Sequence, residues 1–136
     1  MKKINLNIHN ILKIRITNPS ISLFKELNFP FSYFTTTENI TPDIEVILGD
    51  FNEDLEGATV IDHKYFVKKN YLFFKDNIDS LSWKVELTGL EGDKWKVRMA
   101  YGKFNRLFFP ITLYPDQIMY NHLLYPLMER YFLKKG

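Results

Sequence analysis

The feature that most restricts the fold of this chain is a repeated alternation of apolar and polar residues along its first hundred positions. An alternation with period two places all the apolar side chains on one face of a strand. The first two such segments are Ile4–Ile8 and Leu12–Ile16, and His9 and Asn10 separate them. Two short alternating segments around a polar break predict an antiparallel hairpin.

The same pattern predicts the rest of a mostly antiparallel sheet. Trp83–Leu87 and Trp95–Met99 alternate on either side of a polar turn at residues 91–93, which predicts a second hairpin. Polar or proline-containing breaks bound the other apolar segments, as expected for short strands. The further predicted strands are residues 32–36, Asp43–Leu48, Tyr65–Val67, Tyr71–Phe74 and Phe104–Phe109.

Two helices are predicted to complete the fold. Ser20 or Ser22 suits the first position of a short helix that reaches Leu27, before Pro30. From Pro115 to the end of the chain, apolar residues recur at helical spacing, and Pro126 interrupts them. The residues with this spacing are Ile118, Met119, His122, Leu123, Leu127, Tyr131 and Phe132. We therefore expect an α+β fold, in which a long C-terminal helix with a kink at the proline packs on the sheet.

Length and composition indicate one domain over residues 1–136 and exclude several classes of protein. A chain of 136 residues with 46% hydrophobic content can bury a stable core without disulfides or metal ions. A net charge of +2 lacks the dense positive field of a nucleic-acid site. The sequence has no cysteine, which excludes disulfides and thiolate chemistry and makes a reducing cytoplasm the expected location. No signal peptide or membrane span is expected.

No catalytic, metal or cofactor site is predicted. His9, His63 and His122 are far apart in the sequence, so we expect no zinc site. The acidic loop 50–56 alternates oxygen-bearing side chains, but Leu55 stands where a calcium loop needs glycine. The carboxylates that could serve acid–base chemistry all fit outward strand faces or turns, namely Asp43, Glu45, Glu86, Glu91 and Asp93. The chain also lacks the glycine-rich sequence ending in Gly-Lys-Ser/Thr that holds nucleotide phosphates.

Two other classes of binding protein remain open. Lysines at positions 64, 68, 69 and 75 lie beside aromatic residues, an arrangement that suits single-stranded nucleic acid. The rings concerned are Tyr65, Phe66, Tyr71 and Phe73. Alternatively, the aromatic strands could curl into a small barrel that binds an organic ligand, with the helix as its lid.

The C-terminal segment resembles a known family. Tyr114-Pro115-Asp116, the run from Asn121 to Phe132, and Lys135-Gly136 are similar to the helix that precedes the nucleotide-binding domain in HPr kinase-like proteins. These are P-loop proteins related to the HPr serine kinase/phosphorylase. In the family, a β-rich amino-terminal region ends in this helix, and the nucleotide contacts and catalytic acid lie in the later domain.

The resemblance implies a non-catalytic accessory domain without its kinase domain. We expect it to dock a P-loop kinase domain, in the same chain or in another, or to present a substrate. The expected interaction surface is on the last helix, at Leu123, Leu127, Tyr131 and Phe132. An exposed strand edge could also pair two copies into a homodimer.

Overall fold

The computed structural model describes residues 3–17, 31–78, 81–101 and 124–135. In these residues, nine strands form one sheet in the spatial order β3-β1-β2-β4-β9-β8-β7-β6-β5. Six of the eight neighbouring pairs are antiparallel and two are parallel. The strands are β1 Lys3–Ile8, β2 Leu12–Thr17, β3 Thr35–Thr36, β4 Ile44–Leu48, β5 Thr59–Ile61, β6 Tyr65–Lys68, β7 Tyr71–Ile78, β8 Leu81–Thr88 and β9 Trp95–Tyr101.

The hairpins predicted from alternation are confirmed. β1 pairs antiparallel with β2, with Leu6 opposite Ile14, and β8 pairs antiparallel with β9, with Val85 opposite Met99. The predicted strands at Tyr65–Val67 and Tyr71–Phe74 also pair, as β6 and β7. Pairing in this register keeps the apolar side chains of both partners on one face.

Left-handed turn residues close two of the hairpins. His9 and Asn10 have φ values of 54° and 60°, and the carbonyl of Ile8 accepts a hydrogen bond from the N–H of Ile11 at 2.9 Å. Asp62 and His63 have φ values of 54° and 55° in the turn between β5 and β6. Asn, Asp and His tolerate this backbone region better than most residues, so the local sequence suits the turn.

The parallel pairs lie at the centre of the sheet. β4 lies between β2 and β9, parallel to both. Just before β4, the Asp43 carboxylate accepts a hydrogen bond from the N–H of Lys13 at 2.9 Å, and its carbonyl accepts one from the N–H of Trp95 at 2.8 Å. Asp43 therefore fixes the start of β4 against both of its neighbours.

One side of the sheet, here called the helix face, carries the main hydrophobic core. Its buried side chains come from alternate positions of five strands, and three more come from the C-terminal helix and the residue just before it. They are Ile4, Leu6, Ile8, Leu12, Ile14, Ile16, Ile44, Val46, Leu48, Trp83, Val85, Leu87, Trp95, Val97, Met99, Leu124, Leu127 and Tyr131. Burial of this many large apolar side chains is the main stabilising contribution to the fold.

The opposite side, here called the loop face, has a smaller core beneath the connection from β4 to β5. This connection runs from a central strand to an edge strand. On its way, Phe51 packs edge-on against Phe73, with the ring centroids 6.4 Å apart. The buried cluster here consists of Phe51, Tyr71, Phe73 and Ala100. The acidic loop noted in the sequence therefore covers this cluster of the loop face.

The predicted α+β class is wrong. The described residues are mostly strand, in one mixed sheet, and they contain one α-helix, α1 at Tyr125–Lys135. Pro126 is the second residue of this helix and does not interrupt it, because proline suits the first turn, where its missing N–H has no helical partner. The described helix is thus short and has no internal proline. The upstream part predicted from Pro115 lies outside the described residues.

Other predicted elements differ or lie outside the described residues. Residues 20–27, predicted as a short helix, and Phe104–Phe109, predicted as a strand, are not described. Between β2 and β3, the helical structure of the described residues is a single 3₁₀ turn, Phe31–Phe34, which leads into β3. The strand predicted at residues 32–36 is thus reduced to its last two residues.

Candidate interaction site

The inner side of α1 is fully used in packing on the helix face of the sheet. Leu127 and Tyr131 of α1, and Leu124 just before it, are buried there, at the three- and four-residue spacing that lines up one side of a helix. The ring of Tyr131 meets that of Trp95 edge-on at a centroid distance of 5.3 Å. This contact is one of the preferred geometries for aromatic pairs.

The carboxyl end of α1 is tied to the turn between β8 and β9. The Lys134 ammonium donates hydrogen bonds to the carbonyls of Leu90 at 2.6 Å and Gly92 at 2.8 Å. The turn itself requires Gly89, which has a φ of +77° and whose added Cβ would lie 2.6 Å from the carbonyl oxygen of Lys94. The position of α1 is therefore set by its packing and by charge-assisted hydrogen bonds to a tightly formed turn.

The outer side of α1 carries large apolar residues that the sheet does not cover. Leu133 is 74% exposed, Tyr125 is 44% exposed and Phe132 is 38% exposed. Tyr125 and Phe132 are seven residues apart, so they lie on the same side of the helix, with Leu133 beside them. We call these three residues the outer helix patch. A clustered apolar patch on an otherwise polar helix surface is typical of an interface.

The four predicted interaction residues do not form one surface. Leu127 is 3% exposed and Tyr131 is 4% exposed, so both side chains contribute to the core. Phe132 lies in the outer helix patch, and Leu123 lies outside the described residues. Sequence reasoning missed Tyr125 and Leu133, although Tyr125 lies seven residues before Phe132, a spacing that puts both on one side of a helix.

A pocket of about 410 Å³ opens beside α1 over the β5–β7 end of the sheet. We call it the edge pocket. Apolar side chains of the helix face line it, together with polar residues of two turns and one arginine of α1. The lining residues are Ile61, Tyr65, Val67, Lys68, Asn70, Tyr71, Leu72, Leu90, Glu91 and Arg130. Its volume falls within the range of sites that bind small organic molecules.

A buried polar pair lies on the loop face, where sequence analysis placed an outward-facing carboxylate. Glu86 is only 8% exposed, so that prediction is wrong. The hydroxyl of Tyr71 donates a hydrogen bond to Glu86 Oε2 at 2.9 Å, and Arg98 Nε lies 4.0 Å from Glu86 Oε1. Burial, together with the hydrogen bond to Glu86, raises the pKa of Tyr71 well above its usual value. The tyrosine therefore stays protonated as a donor to the carboxylate.

The lysines and rings that suggested nucleic-acid binding have structural contacts. Tyr71 and Phe73 are buried in the loop-face cluster, and Phe66 packs against it. Lys68 donates to the carbonyls of Asp54 and Glu56 at 2.9 and 3.0 Å, and Lys64 pairs with Asp76 at 2.9 Å. These rings do not form the open stacking surface that single-stranded nucleic acid needs.

The histidines and the oxygen-bearing loop residues discussed above are not assembled into a metal centre within the described part of the chain. No group of three or more His, Asp or Glu side chains there could hold an ion. In the acidic loop, the Asp54 carboxylate accepts a hydrogen bond from the N–H of Glu56. The Glu53 carboxylate accepts one from the Lys84 ammonium. His9 and His63 lie in separate hairpin turns, and His122 is outside the described residues.

The fold and this site define a class: a single mixed β-sheet with a short C-terminal helix that carries an apolar patch and borders a pocket. Comparisons with known protein families, with curated proteins and with solved structures gave no match. None of the helices in the described residues has the length and apolar character needed to cross a membrane.

Proposed function

We propose that this chain is a non-catalytic accessory domain that acts in the cytoplasm and docks a second protein domain through the outer helix patch. The proposal rests mainly on one observation: α1 has apolar side chains on two opposite sides. Leu124, Leu127 and Tyr131 are buried against the sheet. Leu133, on the opposite side of the helix, is 74% exposed. An apolar residue in that position gains free energy when a partner covers it.

The rigid support of α1 favours the same proposal. Lys134 ties the helix to the β8–β9 turn, and the Trp95–Tyr131 ring contact fixes its rotation. A partner that binds Phe132 and Leu133 therefore meets a surface that is already ordered. Binding to an ordered surface loses less conformational entropy than binding to a flexible one.

The partner we propose is the P-loop kinase domain of an HPr kinase-like protein. This choice rests on the resemblance of residues 114–136 to the helix that precedes that domain in the family. In this arrangement the kinase domain supplies every nucleotide contact, and the accessory domain supplies position. The isolated chain is therefore expected to bind no ATP at micromolar concentrations, which isothermal titration calorimetry would check.

The docking proposal is tested by sedimentation velocity of the chain with the purified kinase domain of an HPr kinase-like protein from the same organism. Wild type is expected to form a one-to-one complex. Phe132→Ser and Leu133→Ser each remove a central apolar contact and are expected to weaken the complex about tenfold or more. Both side chains are partly exposed, so the variants should keep the fold.

Val60→Ser is the matched control, because Val60 is 51% exposed in β5 and lies on the loop face, away from the outer helix patch. It should bind like wild type. Equal affinity of wild type and Leu133→Ser would show that the patch is not the docking surface. A chain that sediments alone as a dimer, and becomes a monomer with Leu133→Ser, would assign the patch to a homodimer and contradict docking to a kinase.

A further inference from the structure

The edge pocket combines an apolar floor with two charged side chains at its opening. Strands β5–β7 contribute Ile61, Tyr65, Val67 and Leu72 from the helix face, and the β8–β9 turn adds Leu90. Lys68 also borders the pocket, but its side chain lies on the loop face, where its ammonium binds the carbonyls of Asp54 and Glu56. The charged side chains at the opening are therefore one cation, Arg130, and one carboxylate, Glu91.

Arg130 is the cation that remains for a ligand. Lys68 is already hydrogen-bonded to two loop carbonyls. Among the described residues, Arg130 forms no ion pair with Glu91 or with another carboxylate. It is exposed on α1 and borders the pocket. A guanidinium group in this position matches the planar, two-oxygen geometry of a carboxylate.

We infer that the edge pocket binds an organic monoanion with an apolar body, of the class of medium-chain carboxylates. The apolar body lies on the floor formed by Ile61, Val67 and Leu72, and the carboxylate receives hydrogen bonds from Arg130. A dianion would gain less, because Glu91 repels the second charge at the opening. The inference depends on the pocket alone and is independent of docking by the outer helix patch.

The first experiment titrates the chain with decanoate by isothermal titration calorimetry, below the concentration at which decanoate forms micelles. Decanol, which has the same chain and no charge, is the matched ligand. Saturable one-to-one binding of decanoate is expected, about tenfold tighter than that of decanol, since the charged contact contributes one factor of ten in affinity. Absence of decanoate binding, or equal binding of the two probes, would overturn the inference.

Two variants test the role of the arginine. Arg130→Gln should weaken decanoate binding about tenfold and leave decanol binding unchanged, whereas Arg130→Lys should retain part of the difference. Lys96→Gln, which makes the same charge change at an exposed position of β9 on the loop face, should bind decanoate like wild type. If Arg130→Gln and Lys96→Gln behave alike, Arg130 does not recognise the anion.

The location is tested by methyl NMR during the same titration. The methyl signals of Ile61, Val67, Leu72 and Leu90 should shift together and saturate with the calorimetric affinity. Leu133, in the outer helix patch, is the internal reference and should not shift. Shifts that centre on Leu133, or that increase without saturation over the whole protein, would show detergent-like adsorption and contradict the pocket.

Discussion

The two faces of the sheet are covered in physically different ways. On the helix face, 18 buried apolar residues of the described chain form one continuous cluster, which includes Leu127 and Tyr131 of α1 and Leu124 just before it. On the loop face, the buried cluster has four residues, and lysines of the sheet hold the chain segment that covers it. One face is stabilised mainly by removal of apolar surface from water, and the other depends more on charged groups.

Lys84 shows how the loop face works. Its ammonium donates to the carbonyl of Phe51 at 2.6 Å and to Glu53 at 2.9 Å, and it lies 4.6 Å from the centroid of the Phe51 ring. Farther along the loop, Lys68 binds two more carbonyls. A loop that crosses several strands leaves its backbone groups without strand partners, and these ammonium groups supply donors for some of them.

The largest loss of stability is expected from a mutation that creates a cavity on the helix face. Ile14 is fully buried in the main core, so Ile14→Ala should lower the free energy of unfolding by about 2–5 kcal/mol. Urea denaturation followed by tryptophan fluorescence would measure it. Ile11→Ala, at a position 65% exposed, should change the free energy by less than about 0.5 kcal/mol. Similar losses for both variants would contradict a core centred on this face.

A smaller effect is expected from the buried polar pair of the loop face. Tyr71→Phe keeps the ring in the cluster but removes the donor to Glu86, so it should lower the free energy of unfolding by about 1–3 kcal/mol. Tyr33→Phe is the control, because Tyr33 is 78% exposed. Thermal and urea denaturation would measure both. A neutral result for Tyr71→Phe would show that Glu86 finds another donor and that the pair does not stabilise this face.

The loop contacts themselves should contribute less than the buried pair. Lys84→Ala removes two hydrogen bonds from a side chain that is 21% exposed, and we expect a loss of about 1–2 kcal/mol. The loop should also become more open to proteolysis between residues 50 and 58, which limited digestion would detect. Lys96→Ala, at an exposed position of the same face, should neither lower the stability nor increase proteolysis of the loop. Unchanged protection of the loop in Lys84→Ala would contradict its role.

Local alternation was sufficient to predict the hairpins, because strand, turn and register all lie within a few residues. Trp83–Leu87 and Trp95–Met99 pair as expected. The central parallel pairs were not predictable in this way. β4 joins β2 and β9, whose sequences lie on opposite sides of it and far apart, and nothing in a local pattern specifies which distant strand becomes a neighbour.

The candidate site was predictable only in part. The helical spacing around Leu127 and Tyr131 correctly indicates an apolar side, but it does not show which apolar residues face the sheet and which face away. The edge pocket was still harder to predict, since its residues come from β5–β7, one turn and α1. Glu86 was misplaced because alternation assigns it to the side opposite the main core without showing that a second cover lies there.

The smallest expected effect is a change in how stability responds to acid. It also gives the sharpest comparison of the two faces. Burial raises the pKa of Glu53, but the hydrogen bond and the charge of Lys84 outweigh it, so the pKa lies below its usual value. A lowered pKa in the folded state stabilises the fold above the unfolded-state pKa of about 4.3, and this contribution is lost as the pH falls through the folded-state value. Glu53→Gln should therefore lose less stability than wild type between pH 7 and low pH.

Urea midpoints measured over this range of pH would check the prediction, with Glu38→Gln as the control at an exposed carboxylate. The acid response of Glu38→Gln should match that of wild type. Ile14→Ala should show the wild-type pH dependence at a lower overall stability, because the helix-face core around Ile14 is apolar. A changed acid response in Ile14→Ala, together with an unchanged one in Glu53→Gln, would mean that the two faces are not stabilised by different forces.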